Sequence, residues 1–173
     1  TLSQEYIVHS RMIDTSEFGV PQKRHRFFIV AVHRALAPNL SSNPLDTLES
    51  SRLEFLRSKG IHSVPVPSKL AISDLEISRN GTQPSRDSKG FEEIAYSHPL
   101  TSYQRLMHCS FGASLNDTRL ARHNPEITAR FKKIIDICHQ SGRLNVSLSA
   151  EIKAGFGLRK CAIRVLDPDS PSP

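Results

Sequence analysis

The chain of 173 residues has no tryptophan, only three cysteines and only two methionines. No run is long or apolar enough to suggest a membrane span. Cys109, Cys138 and Cys161 stand far apart with no Cys-x-x-Cys pair, which argues for reduced thiols rather than a disulfide framework. His108-Cys109 and Cys138-His139 put potential ligands side by side, without the separations that zinc knuckles use, so no metal site is expected. No signal peptide is visible, and a start at Thr1 rather than methionine suggests a fragment or a processed product. Sequence repeats are absent as well.

What is present begins with charge. The formal net charge is +6, which favours an anionic partner. Residues 101–145 hold seven Lys/Arg against three acids, whereas residues 35–100 hold seven against eight. The positive excess therefore lies mainly in the second half, with a smaller one near residue 24.

The most informative stretch is Phe18-Gly19-Val20-Pro21-Gln22-Lys23-Arg24-His25-Arg26, running into the apolar Phe27–Val32. Gly19 permits a sharp turn and Pro21 stiffens the chain before Gln22. If a strand starts here, Gln22, Arg24 and Arg26 project to one side and Lys23 and His25 to the other. Two guanidiniums beside an amide suit phosphate oxygens, a carboxylate or the edge of a base.

Around this loop the pattern alternates strand and helix. Glu5–Ile13 suits a strand, Asp14–Glu17 breaks it, and Phe27–Val32 reads as a strand covered on both faces; the two are expected to form an antiparallel hairpin. Residues 34–44 look like a linker. Asn43 and Pro44 then predict a helix start, and Gly60 its end. Residues 68–75 read as a short helix, and residues 77–100 as a long loop, either a plain surface loop or a recognition loop that orders on DNA. Ser102–Met107 begins another helix. Asn124-Pro125 opens a longer one, with Ile127, Phe131, Ile134, Ile135 and Cys138 as its apolar stripe and Gly142 as its stop. Cys138 then faces the core, and Cys161–Leu166 suits a strand.

The Phe-Gly-Val-Pro-Gln-x-Arg-x-Arg string resembles the eighth conserved motif of DNA (cytosine-5)-methyltransferases. Ala71-Ile72-Ser73-Asp74-Leu75 resembles the segment that often follows it. Tyr103, Gln104, Met107, Arg122, His123, Pro125, Arg130 and Phe131 resemble the family's target-recognition region, although His108 stands where the family usually has arginine. Residues 166–173 resemble the approach to the ninth motif.

The resemblance implies an α/β chain: the end of a Rossmann-like methyltransferase sheet as an antiparallel hairpin, followed by a mixed, loop-rich target-recognition domain. Residues 1–34 would close the catalytic domain, 35–165 would form the target-recognition region, and 166–173 would be a truncated ninth-motif approach. It implies methyl transfer from S-adenosylmethionine to carbon 5 of a flipped cytosine in duplex DNA, in a prokaryotic or phage modification system, hence in the cytoplasm. Arg26 would contact the base and Arg24 would organise the site or touch phosphate, with Gln22 in support. Arg122 and His123 would contact DNA.

No Pro-Cys nucleophile pair and no Phe-x-Gly-x-Gly cofactor loop occurs in the sequence. The catalytic portion that carries them would lie in cis or on a partner chain. The alternative is a non-catalytic DNA-binding module, either a split-enzyme subunit or a relic.

Overall fold

The computed structural model describes residues 2–40, 42–62, 64–108, 115, 117–158 and 162–173. The chain is mixed α/β and divides into two compact units, residues 1–66 and 67–173. No helix among the described residues is long and apolar enough to cross a membrane.

In the first unit, α1 (Leu2–Glu5) leads into β1 (Tyr6–Asp14), which pairs antiparallel with β2 (His25–His33). The expected hairpin is present, and its register joins Tyr6 to His33 and Asp14 to His25. A 3-10 turn, Thr15–Phe18, follows β1. After a second 3-10 turn (Ala37–Asn39) comes α2 (Pro44–Ser58). Asn43 caps α2 as the sequence suggests, its side chain accepting from Leu45 N–H at 3.0 Å, with Pro44 in the first turn. Ile13, Leu45, Leu56 and Ile61 are the buried apolar residues along this packing. Arg11 on β1 forks onto Asp46 and Glu49 of α2, both at 2.6 Å.

One expectation for β2 is corrected. The strand is not covered on both faces: Phe27 is 61% and Ile29 63% exposed, and their cross-strand partners Met12 and Ser10 are exposed too. The reason is geometric. Arg11 and Ile13 turn one face of the two-stranded ribbon toward α2, and alternation puts Val8, Met12, Phe27 and Ile29 on the other.

The second unit begins with α3 (Ser68–Ile72), a 3-10 turn (Ser73–Leu75) and α4 (Ile77–Asn80). Residues 77–100 are not one long loop, which is a second correction. After α4, β3 (Thr82–Pro84) and β4 (Glu92–Ile94) pair antiparallel, Gln83 opposite Glu93. A polar composition hid this hairpin because its anchor is a carboxylate and not an apolar pair. Glu93, 5% exposed, accepts from Gln83 Nε2 at 2.9 Å, from Arg86 Nε at 2.9 Å and from Arg86 N–H at 3.1 Å. These bonds to the charged form hold its carboxyl below the usual range, the Gln83 bond first.

Next, α5 (Ser102–His108) is set by Gln104, 1% exposed, whose Oε1 accepts from Leu100 N–H at 2.7 Å and Thr101 N–H at 3.0 Å. α6 (Pro125–Gln140) starts at the predicted Asn124 cap, and α7 (Ala150–Gly155) is a short helix that the sequence reading passed over. Only part of the α6 stripe is buried. Ile134 and Cys138 are, at 1% and 0%, while Ile127, Phe131 and Ile135 are 38–44% exposed. Leu148, Ile152, Phe156 and Val165 pack around the buried pair. They cover a face narrower than the pattern allowed, because α7 is short.

Of the strand expected over 161–166, the described residues 162–166 form only a bridge, Ser147 to Arg164. Asn145 explains the interruption. At φ +59 it turns the chain, and its Oδ1 accepts from Asp167 N–H at 3.0 Å, which pulls the segment out of ladder geometry. Cys109 and Cys161 lie outside the described residues.

Burial ranks the α6 positions. Ile134→Ala should cost about 2–5 kcal/mol, as fully buried isoleucine truncations do, whereas Ile135→Ala should cost under about 1 kcal/mol. Urea denaturation of the two variants measures both.

Candidate DNA-contacting sites

The first site is the loop that closes the β1–β2 hairpin. Asp14 ends β1 and folds its side chain back over the turn. Its Oδ1 accepts from Ser16 N–H at 3.0 Å and Ser16 Oγ–H at 2.9 Å. The Ser16 backbone bond is the main reason that the Asp14 carboxyl lies below its ordinary range. Thr15 then reaches across: its N–H donates to Arg24 O at 3.0 Å and its hydroxyl to the same oxygen at 3.1 Å. The loop's two ends are thus clasped by one residue.

Gly19 makes the reversal at φ +83, a region costly for any residue with a β-carbon. A β-carbon would also force its neighbours to shift. A β-carbon would stand 2.9 Å from Leu56 Cδ2 and 3.2 Å from Ile61 Cδ1. Helix α2 supports the same turn with Arg52, which lies 5.5 Å from the Phe18 ring centre and forms an ion pair with Glu17.

On this support sit Gln22, Arg24 and Arg26. Regular pairing starts only at His25, so the strand-like alternation expected over residues 22–26 does not extend back to Gln22. Loop geometry prevails there because Thr15 holds the Arg24 carbonyl and, at 3.4 Å, the Gln22 carbonyl. Arg26 is the member on the strand. It pairs with Ile13, is half-buried, and donates from Nη1 to His25 O at 3.2 Å. The Arg24 guanidinium is exposed, and Gln22 is half-buried. The structure therefore gathers these three residues on one braced loop.

Arg122 and His123, the other expected DNA contacts, belong to the second unit, and both are exposed. Arg122 lies 5.6 Å from the Phe91 ring centre, and Arg119 lies 4.9 Å from it. The sequence reading missed Phe91 and Arg119. No local pattern signals them, since Arg119 and Arg122 lie far along the chain from Phe91.

His108, where the resembling family usually has arginine, stacks on Tyr96 with ring centres 5.3 Å apart, and its Nε2 is 3.4 Å from Asp74 Oδ2. Burial, with the bond to Asp74 at 2.9 Å, raises the Tyr96 hydroxyl well above its ordinary range. This cluster joins α5 to the turn after α3 and uses its polar groups internally.

The mixed α/β arrangement with two small antiparallel hairpins is consistent with part of a methyltransferase. A family model of the C-5 cytosine-specific DNA methylases matches residues 2–146, and the chain belongs to that family. No curated protein and no solved structure matches it.

The family's methyl donor is S-adenosylmethionine. The described residues do not fit it. The one Gly-x-Gly run, 155–157, ends α7 with Gly157 at φ +63, in a shallow cleft beside Arg130 and Lys133. Two cations there disfavour a sulfonium.

Two outcomes test the loop's construction. Gly19→Ala should lose about 1–3 kcal/mol from strain and overpacking, read as a lower urea midpoint. Asp14→Asn should be less stable than the parent chain near neutrality. Because the native carboxyl is depressed, its contribution is present above the ordinary aspartate pKa of about 3.9 and fades as pH falls through the lower native value, so the two chains should converge in acid. Melting curves across that range would show the convergence, and a constant gap would count against the Asp14–Ser16 bonds as the cause.

Proposed function

We propose that this chain supplies the eighth-motif hairpin and the target-recognition region of a DNA (cytosine-5)-methyltransferase. In this reading residues 1–34 close the catalytic domain, 35–165 serve recognition, and 166–173 approach the ninth motif. The reaction moves a methyl group from S-adenosylmethionine to carbon 5 of a cytosine flipped out of duplex DNA, in a prokaryotic or phage modification system.

The observation that carries the reading is the braced loop itself. Within a stretch that matches the family, it presents Arg24 to solvent and roots Arg26 at the first position of the strand after His25. An exposed guanidinium suits a phosphate or site-organising role. A half-buried one, limited in its rotamers by the strand, suits a fixed contact to one base. Gln22 supports them from the loop. Arg122 and His123 add contacts from the second unit.

The nucleophile and the donor loop come from a catalytic portion in cis or on a partner chain. Cys138 cannot attack a base, since it is fully buried in the α6 core. Cys109 and Cys161 follow His108 and Lys160, not proline. A second reading is a DNA-binding module without catalysis. An upstream frame encoding Pro-Cys and Phe-x-Gly-x-Gly separates the two.

In the complete enzyme, Arg26→Ala should lower methyl transfer by about a hundredfold, a typical cost for one transition-state donor, while duplex affinity changes little. Tritium transfer and fluorescence anisotropy measure the pair, and equal losses in both would remove Arg26 from the base. The chain by itself should bind duplex DNA weakly, with affinity falling steeply as salt rises; a flat salt response would count against phosphate contacts.

A further inference from the structure

Phe91, in the turn between β3 and β4, carries two guanidiniums. Arg119 and Arg122 reach it from a segment that pairs beside β4: Glu93 and Arg119 form an antiparallel bridge, and Leu120 N–H donates to Glu92 O at 2.7 Å. The turn is held from below by Glu93 and its bonds to Arg86. Arg119 is fixed twice, over the ring and through Nη1 to Ser88 Oγ at 2.9 Å. Arg122 is exposed and lies over the Phe91 ring, 5.6 Å from its centre, and no hydrogen bond joins its guanidinium to another described residue. A cation–π contact uses none of the N–H donors of the group, which keeps its fork of paired N–H groups.

The neighbourhood decides what that edge can take. The cleft beside Arg119, about 620 Å³, is lined by Asp87, Glu93 and Asp117 as well as by Arg86 and Arg119. Three carboxylates make it a poor seat for a phosphate chain. A neutral planar partner with two coplanar acceptors meets no such repulsion, and in duplex DNA the major-groove edge of guanine, O6 with N7, is that partner.

We propose that Arg122, lying over Phe91 with Arg119 fixed beside it, reads a guanine in the target site. This rests on the reading of the chain as DNA-directed and goes beyond it by naming the residue and the base.

The test is selection of duplexes with a randomised core by the full chain, followed by affinity measurements on the enriched core. The wild-type chain should enrich cores that share a guanine. Replacing that base by 7-deazaguanine, which lacks the N7 acceptor, should weaken binding about tenfold, within the range for one bidentate pair. Arg122→Lys keeps the charge and loses the fork. It should bind the normal core about tenfold more weakly and be indifferent to the 7-deaza substitution. Enriched cores without a shared guanine, or equal 7-deaza penalties for both proteins, would overturn the assignment to Arg122 and leave DNA binding standing. Failure to retain any duplex even at low salt would overturn the DNA-directed reading, and this inference with it.

Discussion

The loop that carries Gln22 and Arg24 and leads into Arg26 depends on a left-handed turn where a β-carbon would crowd its neighbours. Gly19 lies against Leu56 and Ile61, and everything distinctive in the first unit is arranged around that contact. The chain can reverse there only with a left-handed residue, and α2 can press on the reversal only because nothing projects from it. The Thr15 clasp and the Arg52–Glu17 pair then hold what Gly19 allows. Exposed ion pairs of this kind contribute little stability individually. Their value here is positional, since they keep a short loop from choosing among several shapes.

The second unit reaches order by different means. Its apolar centre is small, built on Ile134, Cys138 and Leu148. Much of the remaining specification comes from polar groups with several partners each: the buried Gln104 at the start of α5, the buried Glu93 beneath the small hairpin, and the half-buried Asn145 across the terminal segment. A satisfied buried amide or carboxylate tolerates few alternative arrangements, because each alternative strands a donor or acceptor away from water.

That difference explains what could be read in the sequence. Elements announced by local chemistry were legible: the Asn43 and Asn124 caps, the glycine stops, the turn at Gly19 and the β-rich run around Phe27. The loop with Arg24 and Arg26 was legible too, through its resemblance to a known motif. The small β3–β4 hairpin was not, since its signal is a Glu93 that has meaning only once Gln83 and Arg86 are opposite it. Nor could the pattern tell how wide a stripe of α6 would be covered, because Ile127 and Phe131 look as apolar as Ile134 and only the short α7 distinguishes them. Phe91 went unnoticed because its partners lie 28 and 31 residues further on, and pairing at that range leaves no local trace.

The bare face of the β1–β2 ribbon has a consequence of a different kind. Val8, Met12, Phe27 and Ile29 form an oily strip beside strand edges that no other strand among the described residues pairs with. Surfaces of that sort find one another in a crowded solution, and ribbons with open edges do so by extending their ladders. Preparations of this chain will therefore have a ceiling on usable concentration, set by the ribbon and largely independent of the well-packed α6 centre. Charged or proline substitutions along the strip would raise that ceiling without touching the arginine loop.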